Sequence, residues 1–121
     1  MRYSVLAILA LVASCEMPWA VEFEQPLTEV PPSYRLWFGE VADCMNRALP
    51  PGRFARIRWY SSGSIFHRVS GEQALGLWTE PHKIVIRSDV TSDERVVKHE
   101  LVHDLLATGD HDSSFFTTCV E

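Results

Sequence analysis

The sequence has no surplus of positive charge. Eleven Lys and Arg stand against 16 Asp and Glu, a net charge of −5 over 121 residues. The arginines are interspersed with other residues, which argues against a nucleic-acid partner held by a basic surface. No Gly-rich phosphate-binding loop is present, so nucleotide chemistry has no anchor. Internal repeats and low-complexity tracts are also missing, and the length allows one small domain and no more. The apolar run Tyr3–Val12 is too short to span a bilayer as a stable helix.

Cysteine is scarce, with three in the chain, and the position of each is informative. Met1-Arg2 supplies a positive charge, Tyr3–Val12 an apolar run, and Val12-Ala13-Ser14-Cys15 has the form of a bacterial lipoprotein box. Residues 1–14 are therefore expected to be a lipoprotein signal peptide. The resemblance implies lipid attachment at Cys15 as the mature N-terminus, hence an exported, membrane-anchored lipoprotein of the periplasm or cell surface. Ordinary cleavage after Ala20 is the alternative, but it places Pro18 where signal peptidase requires a small residue. Cys44 and Cys119 remain, and in an oxidising compartment they are most simply read as one disulfide. The other reading is a lone buried thiol at Cys44.

About 106 residues are then left to fold, near the lower limit for an unaided core. Residues 15–32 carry Pro18, Pro26, Pro31 and Pro32 with little periodicity and read as a tether between lipid and domain. Within it, Trp19 and Phe23 can touch the membrane surface or the domain. Ser33–Leu49 is expected to be a helix: Tyr34, Trp37, Phe38, Val41, Cys44, Met45 and Leu49 recur at helical spacing, and Pro50-Pro51-Gly52 stops it. Phe54–Tyr60 alternates like a strand with one wet face, and Ser64–Val69 after the Ser61-Ser62-Gly63 turn reads as its hairpin partner. Ser70–Leu77 is expected to be an irregular loop with a helical turn at Glu72–Leu75. Lys83–Arg87 is a short apolar strand, and Ser113–Cys119 a short terminal helix burying Phe115 or Phe116.

The chain is organised around His99-Glu100-Leu101-Val102-His103. Thr91-Ser92-Asp93-Glu94 supplies a helix start with acids in the first turn, and Gly109 is the expected stop. On that helix, His99 and His103 are four residues apart and share a face, so both imidazoles can meet one metal ion. Glu100 lies one residue after the first ligand, within reach of a water beside the ion, and its chemistry would be that of a general base. The third ligand is taken as His111, with Asp112 and then Asp110 behind it, because the chain reverses just past Gly109. Zinc suits neutral imidazole donors.

These five residues form an HExxH signature, and the segment resembles the zincin metallopeptidases. The spacing departs from the metzincin extension, which would place a His where this chain has Gly109. The resemblance implies an α+β fold, a small zincin-like domain over residues 33–121. In it a short, mainly antiparallel sheet packs against an N-terminal helix and the HExxH helix. It further implies an edge strand bordering a cleft, here Lys83–Arg87 with Gly76-Leu77-Trp78 and Pro81-His82 as the upper lip, to which a substrate chain adds by main-chain hydrogen bonding. Tyr60, His67 and His82 are the candidates for stabilising an oxyanion. Two functions follow. One is a zinc-dependent peptide hydrolase with Glu100 as general base; the other is a non-catalytic exported lipoprotein with a structural or vestigial zinc site, acting as a binding module.

Overall fold

In the computed structural model, residues 18–121 are described. The signal peptide expected at 1–14 and lipidation at Cys15 lie outside them. Described residues form an α+β domain whose two sheets are built from β1 (Trp19–Glu22), β2 (Gln25–Pro26), β3 (Arg58–Ser62), β4 (Ser64–His67), β5 (Gly76–Thr79) and β6 (Lys83–Arg87). Its helices are α1 (Pro32–Cys44), α2 (Glu94–Leu106) and α3 (Phe115–Thr118). No helix among the described residues is long and apolar enough to cross a membrane.

The larger sheet has the order β2-β3-β6-β5. It is mainly antiparallel, with one parallel pair between β3 and β6. Ile84 and Ile86 on one face of β6, with Trp59 and Trp78, join a core built with Tyr34, Phe38 and Val41 of α1 and Val97, Leu101 and Leu105 of α2. Burying such side chains stabilises by roughly 1.5–3 kcal/mol each. Lys98 of α2 is buried and bonds Glu40 of α1 and Glu94 at 2.7 Å each, so α1 and α2 are joined by charge as well as by apolar packing.

Several expectations change. The stretch read as a tether is folded from Trp19 onward: β1 pairs with β4, and β2 with β3. Trp19 meets His67 edge to face at 5.3 Å, whereas Phe23 stays 85% exposed. β3 and β4 do not form a hairpin with each other. Glu22 faces Ser64 and Gln25 faces Ser61, so the two strand pairs keep one register across a kink at Phe23 and Gly63. The Ser62 hydroxyl spans that kink by donating to the Glu22 carbonyl. Proline in 18–32 masked this ladder, because Pro26 sits on an edge strand where its missing N–H costs nothing.

Helix α1 ends at Cys44, short of Leu49, because Asn46 turns left-handed (φ 55°) and Arg47 N–H bonds back to the Ala42 carbonyl. That is a C-terminal lock Asn tolerates well. Pro31 stands at the N-terminal cap of α1 with no side-chain bond. Phe54–Arg56 is a 3-10 turn, so the strand starts at Arg58. No helical turn forms at Glu72–Leu75. Gln73 bridges Phe66, and Gly76–Thr79 is a strand. β5, not β6, is the sheet's edge beside α2.

The Cys44–Cys119 disulfide is present, with Cα atoms 5.7 Å apart. Closing a loop of this length stabilises by roughly 4 kcal/mol in the chain-entropy model. It ties α3 to the end of α1 and fixes the tail that follows His111.

Candidate metal centre

Helix α2 begins where its sequence dictates: the Asp93 carboxylate accepts from the Arg95 and Val96 N–H groups at 3.0 and 3.4 Å. It ends before Gly109. Ala107 takes the left-handed conformation (φ 54°), with its N–H on the His103 carbonyl. This earlier stop has a consequence for the site, because the reversing chain brings the Thr108 carbonyl to 2.8 Å from His103 Nδ1. A carbonyl only accepts, so Nδ1 carries the proton and Nε2 of the neutral ring is left as a lone pair.

The same turn delivers His111. Its Nε2 lies 3.1 Å from both His99 Nε2 and His103 Nε2, and the three residues form a group that can hold a metal ion. Protons alone do not satisfy this arrangement. A single N–H on His111 can serve one of its two neighbours, and if His111 presents a lone pair it faces the lone pair of His103. Protonating His99 or His103 is disfavoured: burial first, then the neighbouring His103 and His111, lowers His99 to about 4. Burial likewise lowers His103. Three imidazole nitrogens gathered within 4.8 Å of one another are a donor set that a tetrahedral ion takes, since zinc–nitrogen bonds of about 2.0–2.1 Å place donors roughly 3.3–3.4 Å apart, close to the 3.1 Å from His111 to each of the other two. The residues fit the group.

Phe116 of α3 packs on all three rings, with centroids 4.9 Å from His99, 4.5 Å from His103 and 5.1 Å from His111. Position 116 is thus the floor of the trio, and the disulfide at Cys119 holds it there. Asp110 and Asp112 are exposed and outside the trio.

Glu100 is 4% exposed, and its Oε2 has no hydrogen-bond partner among the described residues. Burial pushes its carboxyl up to about 8. It shares with His99, His103 and His111 the lining of a cavity of about 980 Å³, walled by β5 on one side and by Trp19, Ala20 and Val21 of β1 on another. Of the residues expected at the upper lip, Gly76, Leu77 and Trp78 line this cavity, while Pro81 and His82 do not. Tyr60 and His67 are not on its lining either, so none of the three oxyanion candidates is placed there.

Asp104 was not singled out from the sequence. It is 1% exposed, and its carboxylate accepts from Trp78 Nε1 at 2.9 Å, meets His82 Nδ1 at 3.0 Å and pairs with Arg53 at 2.6 Å. This hub fastens edge strand β5 to α2, and Trp78 lies parallel to the His103 ring at a centroid distance of 6.3 Å. The available signal was an acid three residues after Leu101 and seven after Val97 on the apolar stripe, where a charge needs buried partners.

The shifts of His99 and Glu100 pull metal-free stability in opposite directions. His99 in the fold titrates near 4 against an ordinary 6.5. In between, the unfolded chain binds a proton that the fold does not, and this contribution is lost as pH falls through that window. Glu100 in the fold titrates near 8 against 4.5, so the fold holds a proton the unfolded chain has released, and its contribution is lost as pH rises. Compared in chelator by denaturant unfolding, Glu100→Gln should gain on the wild type steadily as pH rises from 4.5 to about 8, then level off. A difference independent of pH would show that Glu100 is not held protonated.

No protein-family model matches the chain, and no curated protein or solved structure matches it.

Proposed function

We propose that this protein is a zinc-dependent peptide hydrolase with a zincin-like domain, in which His99, His103 and His111 hold the ion and Glu100 is the general base. The observation that carries the reading is a buried carboxyl group with an unpartnered oxygen on the lining of the cavity where three imidazoles come together. When bound, zinc supplies a Lewis acid that polarises a peptide carbonyl and acidifies a water at its remaining position.

Glu100 accepts a proton from the water as its oxygen bonds to the carbonyl carbon, and passes that proton to the amide nitrogen as the C–N bond breaks. A carboxyl held near 8 by burial ionises at neutral pH only with positive charge beside it, so base and ion belong together. β5 is the terminal strand of its sheet and its four residues line the cavity, which suits an extended peptide bound through main-chain groups. A purely structural site has no use for an acid between two ligands and tends to be closed by a fourth protein donor; the cluster among the described residues offers three.

The test is metal analysis followed by cleavage of a mixed peptide library read by mass spectrometry. One zinc per chain and zinc-dependent cleavage are expected. Stoichiometric zinc with no cleavage across a broad library would favour the binding-module reading.

The lipoprotein box leads us to infer that the protein is exported and anchored through Cys15. Cys15→Ser should release it from the membrane fraction or block its processing. Unchanged mass with retained membrane association would refute this.

A further inference from the structure

Gly76 stands in the middle of the candidate site without a side chain of its own. It opens β5 opposite Ile86, and its φ is not in the left-handed region, so the backbone conformation does not require glycine. Glycine in a strand gives up side-chain packing and conformational restriction that alanine would supply. What the position lacks is room. A Cβ there would lie 2.9 Å from Glu100 Cγ, 2.9 Å from Oε1 and 3.1 Å from Cδ, and real Cβ atoms essentially never come within 3.0 Å of a heavy atom beyond their own and adjoining residues.

Glu100 has few ways to yield. Cγ is one bond beyond Cβ, so moving it means changing χ1, and on a helix the alternatives are limited by the preceding turn. The residue is 4% exposed, so its side chain is enclosed on most sides. Strand β5 cannot yield freely either, because Trp78, two residues on and facing the same helix, is bonded to the buried Asp104.

We propose that Gly76 is the positioning residue of Glu100: the bare Cα of the edge strand forms one wall of a slot that sets the place of the carboxylate on the cavity lining it shares with the three histidines. The proposal rests on the hydrolase reading for its kinetic consequence. Its steric content stands apart from that reading.

Two measurements on the full chain separate them. In zinc-loaded Gly76→Ala, zinc affinity should be unchanged and kcat should fall about 100-fold, the scale of an ångström-sized misplacement, with KM altered little. A kcat within twofold of wild type would overturn the positioning role. The second measurement is a stability cycle in chelator with Gly76→Ala, Glu100→Ala and the double variant. Gly76→Ala should lower the folding equilibrium constant about tenfold in the wild-type background and not in the Glu100→Ala background, a coupling typical of residues in contact. Equal effects in both backgrounds would overturn the contact.

If Gly76→Ala fails to fold, the double variant should fold. Failure of both again overturns the proposal. If the wild type cleaves nothing, the hydrolase reading fails while the cycle still decides whether residue 76 sets the place of Glu100.

Discussion

Glu100→Gln is expected to keep its zinc and its fold while peptide hydrolysis falls by about two orders of magnitude or more, the usual scale for losing a general base. Glutamine matches glutamate in size, so it fits the slot beside Gly76, where Glu100 Cγ and Oε1 lie 2.9 Å from the place a Cβ would take. It cannot accept the proton. Because His99, His103 and His111 are untouched, metal stoichiometry should remain one per chain, and parallel assays of zinc content and cleavage isolate the chemical role. Equal cleavage by both proteins would mean that another group takes the proton.

His111→Ala should weaken zinc binding by more than about 100-fold, since loss of a mere supporting partner of a ligand already costs 10–100-fold. Its Nε2 is the point where the other two rings meet, 3.1 Å from each, and without it two donors remain. Asp110→Ala should change affinity far less, because that side chain lies outside the trio. The opposite pattern, with binding lost in Asp112→Ala and retained in His111→Ala, would replace the third imidazole by an aspartate. Competition against a chromophoric chelator reads all three variants on one scale.

The parts of the site legible in the sequence are those governed by local geometry. Four-residue spacing places His99 and His103 on one face whatever surrounds the helix. Asp93 caps α2 through its own chain neighbours, and Lys83–Arg87 is a strand with the expected bounds. The reversal that brings His111 back was visible in outline, although Ala107 rather than Gly109 makes the turn.

What escaped depends on distant chain. Nothing near Trp19 announces that it will pair with His67, and a proline-bearing stretch reads as linker until its partner is known. Asp104 is intelligible only beside Trp78, His82 and Arg53, which are 26, 22 and 51 residues away. Gly76 looked like a loop glycine because the group needing its missing side chain is Glu100, on another element.

The disulfide has a topological effect separate from its stabilisation. Cys44 and Cys119 enclose 75 residues of separation, and within that covalent ring lie β3 to β6, α2 and α3, with all three histidines and Glu100. A single backbone cut anywhere inside the ring opens it but releases no fragment. Two cuts are needed before any of the three histidines or Glu100 can leave. Such a chain, nicked once within the ring by a protease, would still migrate as one molecule without reductant and separate into two with it.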